Sequence, residues 1–218
     1  MNQNIPDIFK AYDIRGLVDD ELSPDFAFAV GLAFARFLEI EREPGTVIIG
    51  EDMRPSSSEL AEAFSAGVTS NGTNVIRIGL ASTDLLYFAA GSKNLPGAMF
   101  TASHNPAAYN GIKLCLSGAR PIGKETGLQT IEKFVRQGIP VAMRPVGVET
   151  TENLLEPYAD HLHRLVSFKG NRRLKIVIDA GNGMAGFTAP AIFERIGAEI
   201  IPLYFELDGN FPNHEANP

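Results

Sequence analysis

Over its first 150 residues the chain alternates short apolar runs with longer segments whose apolar residues recur at helical spacing. Thr46 to Gly50, Asn74 to Gly79 and Gly97 to Phe100 have the length and the β-branched or small apolar content of buried strands. Between them, Asp25 to Ile40 is apolar on nearly every face and reads as a buried helix behind Ser23-Pro24, an N-cap and a first-turn proline. Ser56 to Glu59 has capping-box spacing ahead of a helix that should stop at Asn71-Gly72, and Ser82 can cap a short helix from Thr83 to Gly91. A short first strand near the N-terminus, a further strand around Ile112 to Leu116 and a helix over Thr126 to Gln137 complete this part.

The Gly- and Pro-containing stretch Gly138 to Gly147 then reads as the end of one unit, which places a boundary near residue 150. Beyond it, Thr151 can cap a helix through Val166, the basic loop Lys169 to Arg173 follows, and Leu174 to Asp179 is a clear strand. A helix over Thr188 to Ile196 and a strand over Glu199 to Phe205 follow, and Leu207 to Pro218 is turn-like. Strands and helices that alternate in this way predict an α/β class. The expectation is a mixed sheet sandwiched by helices over residues 1–150 and a second α/β unit of similar type over 151–218. Two strands rarely make an independently stable sheet, so the second unit reads as truncated, with a loose tail on a complete small protein as the alternative.

Composition narrows the partners. A formal charge of −7 over 218 residues argues against nucleic acid or an anionic membrane, both of which need clustered Lys and Arg. Cys115 is the single cysteine, so no intrachain disulfide can form, and no Cys/His cluster at zinc spacing is present. Met1 to Pro6 lacks the basic and apolar regions of a signal peptide, and Phe26 to Ala35 is about half of a ~20-residue membrane span. A cytoplasmic location is the expectation.

The chemistry centres on Thr101-Ala102-Ser103-His104-Asn105-Pro106, followed by Asn110-Gly111-Ile112-Lys113. Ser103 begins a loop at a strand exit, with His104, Lys113 and free backbone N–H groups near in sequence, a neighbourhood that favours a bound anion. Ser-His adjacency alone is weak, because a turn explains it and the Gly-x-Ser-x-Gly elbow of acyl-transfer hydrolases is absent. Arg15, in Tyr12-Asp13-Ile14-Arg15-Gly16, adds a fixed guanidinium suited to bidentate phosphate recognition just before a glycine at an expected strand end.

Together, Tyr12 to Gly16, Thr101 to Pro106 and Tyr109 to Lys113 resemble the α-D-phosphohexomutases, most closely the phosphomannomutase/phosphoglucomutase branch. Stretches at Gly50 to Ser58 and Asp179 to Gly186 extend the resemblance along the chain. It implies a phosphoserine at Ser103 that exchanges a phosphoryl group with a hexose phosphate through a bound hexose 1,6-bisphosphate, with Mg²⁺ ligated by the Ser103 phosphate. It also implies cationic roles for Lys113 and Arg15, substrate contact by His104, a place for Asn105 in the serine's surround, and a cleft position for Tyr12. Members of the family are longer, and the C-terminal domains, with the Asp-Gly-Asp-x-Asp-Arg metal loop, are absent from this sequence. Little mutase activity from these residues alone is therefore expected, and a non-catalytic sugar-phosphate binder is the alternative. Mannose versus glucose preference and oligomeric state stay open.

A rival motif, Gly181-x-Gly183-x-x-Gly186 with Glu206 downstream, has dinucleotide-site spacing, but Asp179 would repel a pyrophosphate and a tight strand-to-helix turn explains the glycines. Asp52 and Arg54 could face the cleft or form a structural ion pair. His161 and His163 read as surface or interface residues, and Asp208 and His214 as residues of the final loop. None of these is assigned a role.

Overall fold

The apolar run Thr46 to Gly50 is unbroken because both faces of its strand are covered. In the computed structural model, which describes residues 7–166 and 174–217, the elements run β1 (Ile14–Leu17), α1 (Pro24–Ile40), β2 (Thr46–Glu51), α2 (Ser57–Ser70), β3 (Asn74–Leu80), α3 (Thr83–Lys93), β4 (Gly97–Phe100) and β5 (Tyr109–Leu116). They continue with β6 (Arg120–Pro121), α4 (Leu128–Gln137), β7 (Glu149–Thr151), α5 (Leu155–Leu165), β8 (Lys175–Asp179), α6 (Ala185–Phe193) and β9 (Glu199–Leu203). The main sheet has the order β1-β5-β4-β2-β3-β7, with β6 also on β5. Pairing is parallel among β4, β2, β3 and β7 and antiparallel at β1, β5 and β6, so the sheet is mixed.

Side-chain alternation divides two cores. Val47, Ile49, Ala98 and Phe100 point into the larger one with α1, α2 and α4, while Ile48 and Met99 point to the opposite face, under α3 and the start of α5. Phe34 on α1, Phe64 on α2 and Phe100 on β4 pack in series, with ring centroids 6.0 and 5.4 Å apart. Cys115 alternates with Leu114 and Leu116 on β5 and is buried on the opposite, α3 face near Leu86, where burial pushes its thiol up to about 12 and keeps it unreactive.

Several local readings differ from the structure. Ser56 makes no side-chain cap bond, because its hydroxyl accepts from Asn110 while that of Ser57 donates to Asp52; the capping box is not formed. The helix expected from Thr126 begins at Leu128, after a 3₁₀ turn that ends at Gly127 in a positive-φ conformation. Thr151 closes β7 instead of capping a helix, and the Asn153 side chain accepts from Leu155 N–H at the start of α5. Arg15 sits inside β1, not at its end.

β8 and β9 form a separate parallel pair connected through α6. Helix α6 begins three residues earlier than the expected Thr188, and its continuation to Ile196 is a 3₁₀ turn. Tyr158 on α5 donates to Asp84 at the start of α3, which joins the two helices. Met1 to Pro6, the basic loop Lys169 to Arg173 and Pro218 lie outside the described residues. Among the described residues no helix is long and apolar enough to cross a membrane.

Candidate active site

Strand β4 delivers the chain into the loop that holds Ser103. The last sheet-like bond is Thr101 N–H to Gly111 carbonyl at 3.0 Å, after which the Thr101 hydroxyl accepts the Ser103 N–H at 3.0 Å and turns the chain. Ser103 is exposed and takes φ +55, a left-handed conformation that costs a non-glycine residue about 1–2 kcal/mol. Its Oγ lies 3.2 Å from His104 Nδ1. Among the described residues no carboxylate orients His104, so the relay of an acyl-transfer hydrolase is not built.

Two cations near this loop share one carboxylate. Asp13 lies one step beyond the β1–β5 pairing of Ile14 with Ile112, which brings it opposite Lys113. Its Oδ2 pairs with Lys113 Nζ at 3.2 Å and with the Arg15 guanidinium. Arg15 also donates to Asn105 Oδ1 at 2.6 Å, which ties the cationic pair to the serine loop. Asp13 is 6% exposed and both cations are partly buried, so its charge lets two like charges sit together. The sequence alone gives Asp13 no role. Its signal was the Asp13-x-Arg15 spacing, which puts both side chains on one face of a strand. Tyr12, in contrast, is 81% exposed and forms no hydrogen bond with the serine loop among the described residues.

Asp52 and Arg54 do form an ion pair, and they also hold the loop. Arg54 is 2% exposed, and Nη1 and Nη2 donate to carbonyls of Ser103, Asn105, Pro106 and Tyr109 at 2.7–3.0 Å. Nε lies 3.3 Å from Asp52 Oδ2 but is not aligned as a hydrogen bond. Burial pulls the Arg54 pKa down, and Asp52 opposes that shift. Asn110 is fully buried and donates to Ser56 and Ser57, fixing the far end of the loop. No sequence signal distinguishes this clamp from an ordinary ion pair, because its four acceptors are backbone groups about 50 residues away.

Ser103 and His104 line one wall of a cleft of about 430 Å³, and the opposite wall comes from the Gly181 turn and His214. The glycine motif is a closed turn: Gly181 N–H donates to Asp179 Oδ1 at 2.9 Å, Asn182 N–H to Tyr204 carbonyl and Gly183 N–H to Ala180 carbonyl. The amides that would cradle a pyrophosphate are thus occupied. His161 stacks beside Phe88 at 5.0 Å, in the packing between α5 and α3, and Asp208 caps a local turn through Asn210. Among the described residues no group of three or more His, Cys, Asp or Glu could hold a metal ion. Asp52, Asp84 and Asp179, the carboxylates of the cleft, are each committed to another side chain. The residues present therefore do not fit a Mg²⁺ site.

His214 is held in this cleft by two acceptors. Its Nε2 lies 3.1 Å from Asp179 Oδ1 and its Nδ1 2.9 Å from the Glu215 carbonyl. A neutral imidazole can donate from one nitrogen only, so both contacts are satisfied together in the imidazolium form. The Glu215 carbonyl first and Asp179 next raise the His214 pKa above 6.5, while His214 and the Gly181 N–H lower that of Asp179 below 3.8. A raised imidazole pKa stabilises fully below pH 6.5 and is lost as pH rises through the raised value. A lowered carboxylate pKa stabilises above pH 3.8 and is lost as pH falls through the lowered value. Docking of the His214 segment is expected to be tightest between these limits and to loosen as pH rises through the raised His214 pKa. An NMR titration of the His214 ring should give a midpoint above 6.5 that falls only part of the way in Asp179→Asn, because the Glu215 carbonyl remains; a midpoint at or below 6.5 in the unaltered chain refutes the contact.

Comparison with known proteins places the sequence and the fold among relatives. The family model of phosphoglucomutase/phosphomannomutase α/β/α domain I matches residues 6–140, and that of domain II matches residues 156–218. Phosphohexose mutases of Xanthomonas campestris pv. campestris are 42% identical over 211 residues, covering 96% of this chain and 46% of the relative. A phosphomannomutase of Escherichia coli is 40% identical over 218 residues, covering 96% of this chain and 47% of its own length. The chain thus spans about half the length of the curated relatives it matches. The crystal structure of a phosphoglucomutase/phosphomannomutase family protein from Burkholderia thailandensis superposes with a TM-score of 0.85 at 34% identity, over 95% of this chain and 46% of that one. With the domain I match alone taking in residues 6–140 of 218, the chain belongs to the phosphoglucomutase/phosphomannomutase family.

Proposed function

We propose that this chain carries the phosphoserine part of a phosphohexomutase, divided near residue 150 into a unit that holds the serine loop and a unit that closes the cleft. The observation that supports this best is the pairing of two cations from β1 and β5 through Asp13, one of which, Arg15, is tied through Asn105 to the loop of an exposed serine. Phosphorylated Ser103 donates its phosphoryl group to a hydroxyl of a hexose phosphate. The bond from phosphorus to Ser103 Oγ breaks, a bond to the sugar oxygen forms, and the hydroxyl proton leaves to a base. The product is a hexose 1,6-bisphosphate, whose other phosphate returns to the serine after the sugar turns. The net change is between hexose 6-phosphate and hexose 1-phosphate.

Arg15 and Lys113 supply fixed positive charge beside the moving group, an arrangement worth most in a partly buried site. Asp13 holds both in place. His104, 3.2 Å from Oγ, and Asn105 border the serine, with His104 in position to contact substrate. Tyr12 meets a phosphate only by moving from its solvent-facing position. Mg²⁺, which the family resemblance implies, has a single ligand to offer here, the phosphate on Ser103, so ligands from outside the described residues are required to hold it. A reducing cytoplasm suits a chain with one buried thiol.

The test is phosphopeptide mass spectrometry before and after incubation with glucose 1,6-bisphosphate and Mg²⁺. Phosphate is expected on Ser103, and Lys113→Met should slow its appearance by about 10²-fold through loss of one stabilising cation. Phosphate on another residue, or a rate indifferent to Lys113, refutes the assignment.

A further inference from the structure

The loop that presents Ser103 has little of its own to hold it. Within it, Asn105 N–H donates to the Ala102 carbonyl and Tyr109 N–H to that of Pro106, and Ser103 stays left-handed without a glycine. Beside the Thr101 hydroxyl, the Arg15 bond to Asn105 Oδ1 and the Val18 N–H bond to the Ala108 carbonyl, four carbonyls of the loop accept from Arg54, the largest set of bonds that any one side chain makes to it. A planar guanidinium matches four acceptors in its plane and leaves its faces free, which an ammonium cannot do. One face is taken by the Phe211 ring, 5.1 Å from the guanidinium carbon. Phe211 comes from the second unit, whose final turn is pressed onto the Arg54 backbone: a Cβ on Gly209 would lie 2.7 Å from Arg54 Cα.

We propose that Arg54 is the positioning residue for Ser103, and that Phe211 makes this positioning depend on the seating of the second unit. The proposal rests on the phosphoserine reading above. Its chemical consequence follows from the trans peptide, in which C=O and N–H point in opposite directions. With the Ser103 carbonyl turned in toward Arg54, the His104 N–H is turned away from it, and it engages no backbone or side-chain acceptor among the described residues. That N–H is held as a donor for a phosphoryl oxygen on the neighbouring serine. When the second unit lifts away, the guanidinium loses its ring cover, the loop relaxes and the donor drifts.

Hydrogen exchange of peptides spanning 102–110, and phosphate uptake by Ser103 from glucose 1,6-bisphosphate, test this on the 218-residue chain. Arg54→Lys should raise exchange in the loop by about tenfold, leave exchange in α1 unchanged, and slow phosphate uptake by about 10²-fold. Phe211→Leu should move both readouts the same way by about threefold, and Phe211→Tyr should restore them. Loop exchange unchanged in Arg54→Lys, or in Phe211→Leu, overturns the respective half of the proposal. If Arg54→Lys fails to fold, Phe211→Leu with its tyrosine rescue decides. If the unaltered chain takes up no phosphate, the phosphoserine reading has failed, and loop exchange still decides whether Arg54 and Phe211 set the loop.

Discussion

Ser103→Gly is expected to raise the stability of the chain by about 0.5–1 kcal/mol while abolishing its uptake of phosphate from a hexose 1,6-bisphosphate. Ser103 occupies φ +55, where a Cβ is strained and glycine is not. Relief of about 1–2 kcal/mol is offset by about 0.5–1 kcal/mol from the greater freedom of an unfolded glycine, which leaves a small net gain. The side chain contributes little in return, since its one hydrogen bond, to His104, is exposed. Ser103→Ala keeps the strained backbone and loses the hydroxyl, so its stability should stay within about 0.5 kcal/mol of the parent and its phosphate uptake should also vanish. The pair therefore separates backbone strain from chemistry. Denaturant unfolding and phosphopeptide mapping read the two effects, and a glycine variant less stable by more than about 1 kcal/mol, or phosphate persisting elsewhere in it, contradicts the reading.

What the sequence disclosed follows from how local each signal is. β2 and β4 were legible because a strand covered on both faces has no polar residues to interrupt it. β7 was not, because Glu149, Thr150 and Thr151 form an exposed edge strand whose pairing with β3 has no apolar pattern. The capping box at Ser56 failed on a distant partner, since Asn110 engages the Ser56 hydroxyl that would otherwise cap α2. The site shows the same division. Ser103, Lys113 and Arg15 sit in motifs specific enough to stand out alone. Asp13 needed the β1–β5 register, and Arg54 needed a loop folded back over it from about 50 residues on, so a lone carboxylate and a lone arginine carried no mark of what they hold.

The largest loss of stability is expected at the crossing of α1 and α2, where Gly67→Ala should cost about 3 kcal/mol and lower the melting temperature by about 6–12 °C. In an ordinary helix interior this change would stabilise by about 1 kcal/mol, so the sign itself is diagnostic. A Cβ on Gly67 would lie 2.1 Å from the Phe28 carbonyl oxygen on α1, and one on Gly31 would lie 2.2 Å from the Phe64 carbonyl oxygen on α2. Each glycine receives the backbone of the other helix, and backbone cannot swing aside as a side chain can. The helices can part only by drawing Phe34 and Phe64 from a stack that continues to Phe100 under the serine-bearing strand. Because one separation would accommodate both methyl groups, Gly31→Ala combined with Gly67→Ala should cost at least about 1 kcal/mol less than the sum of the single changes. Strict additivity would mean that the two contacts relax independently, and a stabilising Gly67→Ala would mean that the helices do not meet backbone to backbone.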